Sequence, residues 1–161
     1  ALFTMAKRHN IAFLALSDRV AMVTPIGLFL GRLSNFINGE LYGRVTDVPW
    51  AMIFPHSDGL PRHPSQLYEA GLEGILLGLA MYLCWRKGWL KATGRLTGLF
   101  LFGYGLARFL VELVRQPDAH IGLLAGGLSM GQILSLPMML LGLCLLRRAL
   151  RPSPDQGHDH E

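Results

Sequence analysis

Four long apolar segments, separated by polar stretches, dominate the pattern of this chain. They cover residues 11–31, 66–85, 96–114 and 130–146. At about 1.5 Å of helical rise per residue each would be ~25–30 Å long, which matches the hydrocarbon core of a bilayer. The pattern therefore predicts an all-α, polytopic integral membrane protein with about four transmembrane helices.

The composition agrees with a membrane protein. Of the 161 residues, 51% are hydrophobic and 16% are charged, whereas about 25% of the residues in soluble domains are charged. The net charge of +4 does not indicate a nucleic-acid partner, because the Lys and Arg residues mostly flank the apolar segments. Cys84 and Cys144 both lie inside apolar segments, so we expect no disulfide, and no metal or cofactor site is predicted.

Clusters of basic residues predict how the segments are oriented. One cluster precedes the first segment, a second separates the second segment from the third, and a third follows the fourth: Lys7 and Arg8; Arg86, Lys87, Lys91 and Arg95; Arg147, Arg148 and Arg151. If the segments cross alternately, all three clusters lie on one side, which the positive-inside rule assigns to the cytoplasm. Residues 32–65 and 115–129 then face outward. We expect a membrane domain over residues 1–152 and a polar cytoplasmic tail over residues 153–161.

The polar loop region between the first and second segments begins with an unusual mixture of residues. Residues 31–44 read Gly-Arg-Leu-Ser-Asn-Phe-Ile-Asn-Gly-Glu-Leu-Tyr-Gly-Arg. This mixture is typical of irregular backbone set into the membrane surface, where polar groups need partners within the protein. An ordinary amphipathic turn at the interface explains it equally well, and the sequence does not separate the two interpretations.

Polar residues share one face of the third apolar segment. Tyr104, Arg108, Glu112 and Arg115 follow one another at spacings of four, four and three residues. A charge at the centre of a membrane span costs roughly 2.5–3.5 kcal/mol, so such a face should meet protein or a wet cavity. The set keeps a net positive charge, which favours an anion-binding cavity over an Arg108–Glu112 pair that only neutralises itself.

Two further features are interpreted as structural. Glu69 and Glu73 lie four residues apart at the outer end of the second segment, and we expect them to pair with outward-facing arginines such as Arg62 or Arg44. A Gly-x-Ser-x-Gly motif contains Ser129, but the motif of hydrolases requires a strand before the serine and a helix after it. We therefore expect Ser129 to be the N-cap of the fourth helix.

Several motifs together resemble those of the bacterial prolipoprotein diacylglyceryl transferases. Residues 31–43 match the signature of that family. Further matches are Pro-Arg-His-Pro-Ser-Gln-Leu-Tyr-Glu at 61–69, Tyr-Gly-x-x-Arg-Phe-x-x-Glu at 104–112, Arg-Gln-Pro-Asp at 115–118 and Ser-Met-Gly-Gln at 129–132. Their order and spacing fit the family from about residue 3 to about residue 148.

The resemblance implies a multi-pass enzyme of the bacterial cytoplasmic (inner) membrane with a cytoplasmic C-terminus. Its family transfers the diacylglyceryl group of phosphatidylglycerol to the lipobox cysteine thiol of a prolipoprotein signal peptide and releases glycerol phosphate. This is the first step of bacterial lipoprotein maturation. The implied partners are phosphatidylglycerol, the signal peptide and the bilayer, with no cofactor and no nucleic acid.

The resemblance also has a gap. The family has seven spans and an upstream His-Gly-Gly stretch whose histidine is a candidate base, and this chain contains no His-Gly-Gly. The chain opens with Ala-Leu-Phe-Thr-Met instead of an initiating Met. We therefore expect it to correspond to the last four spans of a larger seven-span domain, and to be inactive alone.

Motif and membrane depth together nominate the site residues. The catalytic candidates are Arg32, Asn35, Glu40, Gly43, Tyr104, Arg108 and Glu112, with Arg32 and Arg108 binding phosphatidylglycerol. Arginines aimed at the departing phosphate would stabilise its growing charge, with Glu112 and Glu40 orienting them. Asn35 would hydrogen-bond the headgroup or the motif backbone, and Gly43 would let the chain turn close to the ligand. The thiol base is unassigned, and Glu40 or His63 could serve only as substitutes for the missing histidine.

One rival function stays open from the sequence. A buried arginine beside a glutamate also fits a membrane protein that binds an anion and carries it across or between leaflets.

Overall fold

The computed structural model describes residues 2–116 and 129–150 of the chain. Over these residues its α-helices are α1 (Leu2–Arg8), α2 (Phe13–Ile37), α3 (Ser65–Glu69), α4 (Leu77–Arg86), α5 (Arg95–Val111) and α6 (Met130–Leu150). A π-helical turn at Ala70–Leu76 joins α3 to α4, and a short 3-10 helix at Trp89–Lys91 precedes α5. The predicted all-α class is confirmed.

Three helices are long and apolar enough to cross a membrane. They are Phe13–Ile37, Ser65–Arg86, which combines α3, the π turn and α4, and Met130–Ala149. The remaining predicted span corresponds to α5, which has 17 residues and is therefore about 26 Å long. These features are those of a multi-pass, all-helical membrane protein.

The first long helix extends further than its hydropathy predicts. The apolar segment ends near residue 31, but α2 continues to Ile37 and carries the start of the polar motif on its last two turns. The helix stops where Asn38 closes it and Gly39 adopts a φ of +67°, a left-handed conformation that glycine tolerates best. Irregular backbone therefore occupies residues 38–64 and not residues 31–37.

Residues 38–64, here called the outer segment, are held by isolated backbone bridges. Val45 and Met52 both pair with Arg62, and Gly43 pairs with Arg115, which follows α5. The outer segment therefore connects the outer end of α2 with the outer end of α5.

The helices pack through small and apolar residues. Ala21, Leu77, Met81 and Leu96 form a buried cluster contributed by α2, α4 and α5. The α5–α6 contact is closer still, because a Cβ on Gly98 would lie 2.9 Å from the carbonyl oxygen of Gly142. Small residues permit this close helix approach in membranes. The result is a helical bundle held by apolar contacts and by close approach at small residues.

Candidate functional site

Six charged side chains from three helical elements converge at the end of the bundle where α2 and α5 end. Three are arginines and three are glutamates: Arg32 from α2, Glu69 and Glu73 from the helix that descends after the outer segment, and Arg108, Glu112 and Arg115 from α5 and its end. We call this set the arginine–glutamate cluster. Its formal charge is balanced.

Glu69 is the centre of the cluster. Its Oε1 accepts hydrogen bonds from Arg108 Nη1 at 2.6 Å and from Arg115 Nη1 at 3.3 Å. Its Oε2 lies 3.2 Å from Arg32 Nη1. One carboxylate therefore links α2 to α5, and the Glu69 side chain has no exposed surface.

Glu73 pairs with Arg32, and Glu112 pairs with Arg108. Glu73 Oε2 accepts from Arg32 Nε at 3.2 Å and from Arg32 Nη2 at 3.1 Å. Glu112 Oε1 lies 2.5 Å from Arg108 Nη2, and its Oε2 accepts the Ser129 hydroxyl proton at 2.7 Å. The predicted Arg108–Glu112 contact is confirmed, as part of a larger network.

Ser129 is also the N-cap of α6. Its Oγ accepts from the Gln132 backbone N–H at 3.2 Å, and its own N–H donates to Gln132 Oε1 at 3.0 Å. This reciprocal pair is a capping box. The predicted capping role is confirmed, and it fixes the start of α6 against Glu112.

Exposure differs systematically between the two kinds of charge. The side chains of Glu69, Glu73 and Glu112 are 0%, 0% and 6% exposed, whereas those of Arg32 and Arg108 are 15% and 18% exposed. Buried carboxylates are tolerated because each is paired and hydrogen-bonded. An anion that approaches the cluster therefore meets guanidinium groups before it meets carboxylates.

The expected partners of the two glutamates on the second span need correction. Glu69 and Glu73 were expected to pair with arginines such as Arg62 or Arg44, but they bind Arg32 and the arginines of the third apolar segment. Arg62 instead forms a bidentate pair with Asp58, and Arg44 Nε donates to the Arg115 carbonyl at 2.9 Å. Because α2 continues through residue 37, Arg32 lies on this helix within reach of both glutamates.

The role expected for Glu40 also needs correction. Glu40 was expected to orient Arg32 or Arg108, but its exposed carboxylate accepts from Asn38 Nδ2 at 3.4 Å. Its backbone carbonyl accepts from the buried Gln66 amide at 2.7 Å. Glu40 thus connects the turn after α2 to the start of α3 through its main chain.

Two other candidates lie beside the cluster. Tyr104 is one helical turn before Arg108, half-buried, with its ring stacked on Phe100 at a centroid distance of 5.8 Å. Asn35 is half-buried on the last turn of α2, and its carbonyl accepts from the Glu40 N–H at 3.0 Å. The catalytic roles of both remain predictions.

Gly43 makes a close approach, but to the chain itself. A Cβ at this position would lie 2.6 Å from the Val114 carbonyl oxygen and 2.7 Å from the His63 Cβ. The Gly43 N–H donates to the His63 carbonyl at 2.9 Å. The expected approach of Gly43 to a ligand stays a prediction; in the structure, the glycine lets three backbone segments meet beside the cluster.

Arg62 forms a second charged centre within the outer segment. Its Nε and Nη2 donate to Asp58 at 3.1 and 2.7 Å, and its Nη1 donates to the Gly43 carbonyl and to Gln116. Its guanidinium also lies 5.1 Å from the centre of the Tyr42 ring. The hydrogen bonds from Arg62 lower the pKa of Asp58, and Asp58 in turn raises the pKa of Arg62.

An apolar groove begins next to the cluster. It has a volume of about 430 Å³ and lies between α2 and the π turn with α4. Phe29, one turn from Arg32, and Gly74, next to Glu73, line its end nearest the charges. The site therefore combines paired arginines with an adjoining apolar surface.

No metal centre is visible in the part of the chain that the structure describes. Within residues 2–116 and 129–150, no three His, Cys, Asp or Glu side chains are arranged to hold a metal ion. Cys84 and Cys144 are free thiols.

Comparison with known proteins identifies relatives of the chain. The family profile of prolipoprotein diacylglyceryl transferase matches residues 1–148. The chain is 53% identical over 154 residues to the phosphatidylglycerol–prolipoprotein diacylglyceryl transferase of Idiomarina loihiensis, and the match covers 96% of the chain and 57% of that relative. It is 56% identical over 155 residues to the same-named protein of Rhodospirillum rubrum, over 95% of the chain and 56% of the relative.

The chain thus spans little more than half the length of the curated relatives it matches. The profile match covers nearly all of its residues. The chain belongs to the prolipoprotein diacylglyceryl transferase family.

Proposed function

We propose that this chain supplies the phosphate-binding part of an enzyme that transfers a diacylglyceryl group from phosphatidylglycerol to a lipobox cysteine. The observation that carries the proposal is the arginine–glutamate cluster, in which Arg32 and Arg108 occupy the more accessible side of sealed carboxylates. The names of the relatives indicate both substrates.

The proposed reaction is a displacement at carbon. The cysteine sulfur, after losing its proton to a base, forms a bond to the terminal glyceryl carbon of the diacylglyceryl group. The bond between that carbon and the phosphate oxygen breaks, and its electron pair leaves with glycerol phosphate. Negative charge on the phosphate therefore increases as the reaction proceeds.

Two arginines are suited to that charge. Guanidinium groups form strong, paired hydrogen bonds with phosphate oxygens, and such donors count most in a water-poor site. Arg32 is fixed by Glu73 and Glu69, and Arg108 by Glu69 and Glu112. Because the glutamates hold both arginines before substrate binds, little reorganisation is needed. We assign Arg32 to binding of the lipid phosphate and Arg108 to the departing phosphate.

The apolar groove supports a lipid substrate over a free anion. It adjoins the Arg32–Glu73 pair and is lined largely by apolar side chains, including Met22, Ile26 and Phe29. An amphiphile with its phosphate at Arg32 would place an acyl chain along this surface, where burial of apolar area is favourable.

The thiol base is not assigned to this chain. Glu40 is exposed and bonded to Asn38. His63 Nδ1 lies 3.2 Å from the Tyr68 hydroxyl, which already accepts from Trp50 Nε1 at 2.7 Å. His63 Nδ1 is therefore already engaged by Tyr68. Since the chain spans little more than half the length of its relatives, we expect the 161-residue chain alone to transfer no lipid.

The topology that we propose has four membrane spans, with α5 as the third, and both termini in the cytoplasm of the bacterial inner membrane. Arg32 near the end of α2 meets Glu69 near the start of the next span, as two helices crossing in opposite directions require. The cluster then lies on the outward side. A reporter or cysteine-labelling map that placed Lys91 outside would overturn this topology.

The direct test uses a protein of full family length that carries this chain, below called the full-length protein. In lipid with phosphatidylglycerol and a lipobox peptide, we expect the peptide thiol to gain a diacylglyceryl group and glycerol phosphate to appear. Movement of an anion or lipid between leaflets without peptide modification would favour the rival transport function instead. The same assay on the 161-residue chain should show no turnover.

A further inference from the structure

One buried carboxylate has no part in the proposed reaction. Asp18 lies on α2 at the end opposite to the cluster, and the residue is 1% exposed. Its Oδ2 accepts from the Gly94 N–H at 2.6 Å. Its Oδ1 accepts from the Thr97 N–H at 2.7 Å and from the Thr97 hydroxyl at 2.6 Å.

These donors belong to the start of α5. Gly94 is the N-cap of α5 and has a φ of +87°, and a glycine has no side chain with which to cap the helix. The first N–H groups of a helix lack partners within it and carry the positive end of its dipole. Asp18 satisfies them from a neighbouring helix, with a charge that the helix start favours.

The Asp18 contact and the cluster are at opposite ends of the same helix pair. Asp18 precedes Arg32 by about 21 Å along α2, and Thr97 precedes Arg108 by about 17 Å along α5, at the usual helical rise. Glu69 binds both arginines at the far end. The two helices run in the same direction and are joined by polar contacts only near their two ends.

Apolar packing between these ends restrains the axial position of the helices less specifically than hydrogen bonds do. The core contact here involves Ala21 and Leu96, and apolar contacts lack the direction of a hydrogen bond. Packed helices slide past one another by shear motions of this kind. The three short bonds to Asp18 do oppose sliding, because each depends on a defined axial position of Gly94 and Thr97.

We propose that Asp18 is a positioning residue that sets the axial register of α5 against α2 and so fixes the spacing between Arg32 and Arg108. This inference rests on the proposed function of the two arginines. The nearest alternative is that Asp18 contributes only to folding. A substitution far from the reacting groups that displaces one of them by about 1 Å is enough to lower the rate about 10²-fold.

The test begins with kinetics on the full-length protein after membrane insertion and thermal stability have been checked. Asp18→Asn keeps the size of the side chain but turns an NH₂ group toward an N–H donor. We expect kcat to fall about 10²-fold with KM changed much less. Thr97→Val should give a smaller loss of kcat, and Thr97→Ser, which keeps the hydroxyl, should have the kcat of the unsubstituted protein. Asp47→Asn, which removes an exposed carboxylate of the outer segment, is the matched control and should be neutral.

A double-variant cycle separates positioning from general destabilisation. If Asp18 acts through Arg108, then Asp18→Asn should cost little more in an Arg108→Lys background, because the geometry that it maintains is already lost. Losses that multiply across the two variants would overturn the proposal. So would a normal kcat in Asp18→Asn.

A distance measurement tests the register without any need for activity. Spin labels at Leu30→Cys and Leu110→Cys, both exposed positions near the outer ends of α2 and α5, would be placed in a background with Cys84 and Cys144 replaced by Ser. The distance distribution should shift or broaden in Asp18→Asn and stay unchanged in Asp47→Asn. An unchanged distribution in Asp18→Asn would overturn the inference. If the full-length protein without substitutions transfers no lipid, the proposed function is wrong. The distance measurement would still show whether Asp18 sets the axial register of α5 against α2.

Discussion

Two arginine centres in the part of the chain that the structure describes differ in the partners that their arginines use. In the outer segment, Arg62 donates twice to Asp58 and also donates to Gly43 and Gln116, with an aromatic ring against its guanidinium. In the arginine–glutamate cluster, three arginines share three carboxylates, and Glu69 alone serves all three arginines.

This difference separates a structural arginine from arginines available to a ligand. The partners of Arg62 include backbone and an exposed carboxylate, so its bonds hold an irregular loop in place. Arg32 and Arg108 are paired with buried carboxylates and keep 15% and 18% of their side-chain surface exposed. The same residue type thus serves a fold in one place and is presented to a ligand in the other.

Replacement of Arg32 should produce the largest loss and thereby test the comparison most directly. In the full-length protein, Arg32→Ala should remove most transferase activity, because it deletes the group proposed to bind the lipid phosphate. Arg32→Lys should recover only part of the activity, since an ammonium cannot reproduce the two hydrogen bonds that Arg32 Nε and Nη2 donate to Glu73. Turnover by the purified variants in lipid is the measurement. Near-normal turnover in the alanine variant would place Arg32 with Arg62 as a structural arginine.

Arg108 is the next test, and here the rate should suffer more than lipid affinity. Loss of one preorganised charged donor costs roughly 10²–10³ in rate at comparable sites, and we expect that range for Arg108→Ala, with little change in KM. Glu112→Gln should cost less, because the amide oxygen still accepts a hydrogen bond from Arg108.

A double variant distinguishes catalysis from charge neutralisation at this pair. If Arg108 and Glu112 only neutralise one another, then Arg108→Met combined with Glu112→Leu should fold and work almost normally, as apolar replacements of buried ion pairs often do. We expect that double variant to insert into the membrane but to remain slow. An active double variant would leave Arg108 without a catalytic role.

Arg62 should show the opposite pattern, with a loss of stability and little loss of rate. Arg62→Met leaves the buried Gly43 carbonyl without its donor, which costs about 1–3 kcal/mol at typical buried sites. We expect a lower thermal midpoint and a kcat close to that of the parent. Arg86→Met is a suitable control, because Arg86 also contacts a tyrosine, Tyr82, but is exposed. A large fall in kcat at unchanged stability would show that the outer segment participates in the chemistry.

The sequence predicts those features of the site that depend on neighbours along the chain. The Arg108–Glu112 contact follows from a spacing of four on one helix, and the Ser129 cap follows from the residue type at a helix start. Both are local and both are present. The helical class follows equally from the lengths of the apolar segments.

Features that depend on distant parts of the chain do not follow from the sequence in the same way. The pairing of Glu69 with Arg32 and Arg108 joins residues 37 and 39 positions apart, and spacing alone gives no choice among the available arginines. Hydropathy also misplaces the end of α2, because a helix continues through polar residues until a residue such as Gly39 ends it. The pairing of Glu69 with Arg108 and Arg115 depends on how α5 packs and not on where α2 ends.

The smallest effect is expected at Asp58, whose ion pair with Arg62 lies at the surface and should depend on pH. Arg62 hydrogen bonds lower the pKa of the Asp58 carboxyl. A carboxyl whose pKa is lower in the folded state stabilises the fold above its unfolded pKa of about 3.9, and this contribution disappears as the pH falls through the folded value. The thermal midpoint of Asp58→Asn should therefore lie slightly below that of the parent at pH 7, and the difference should vanish below that pH window. High salt should reduce the difference at pH 7, because Asp58 is exposed. Comparison of parent and variant at each pH cancels titrations common to both, including those of the cluster. A difference that persists or grows in acid would show that the Arg62–Asp58 ion pair is not its source.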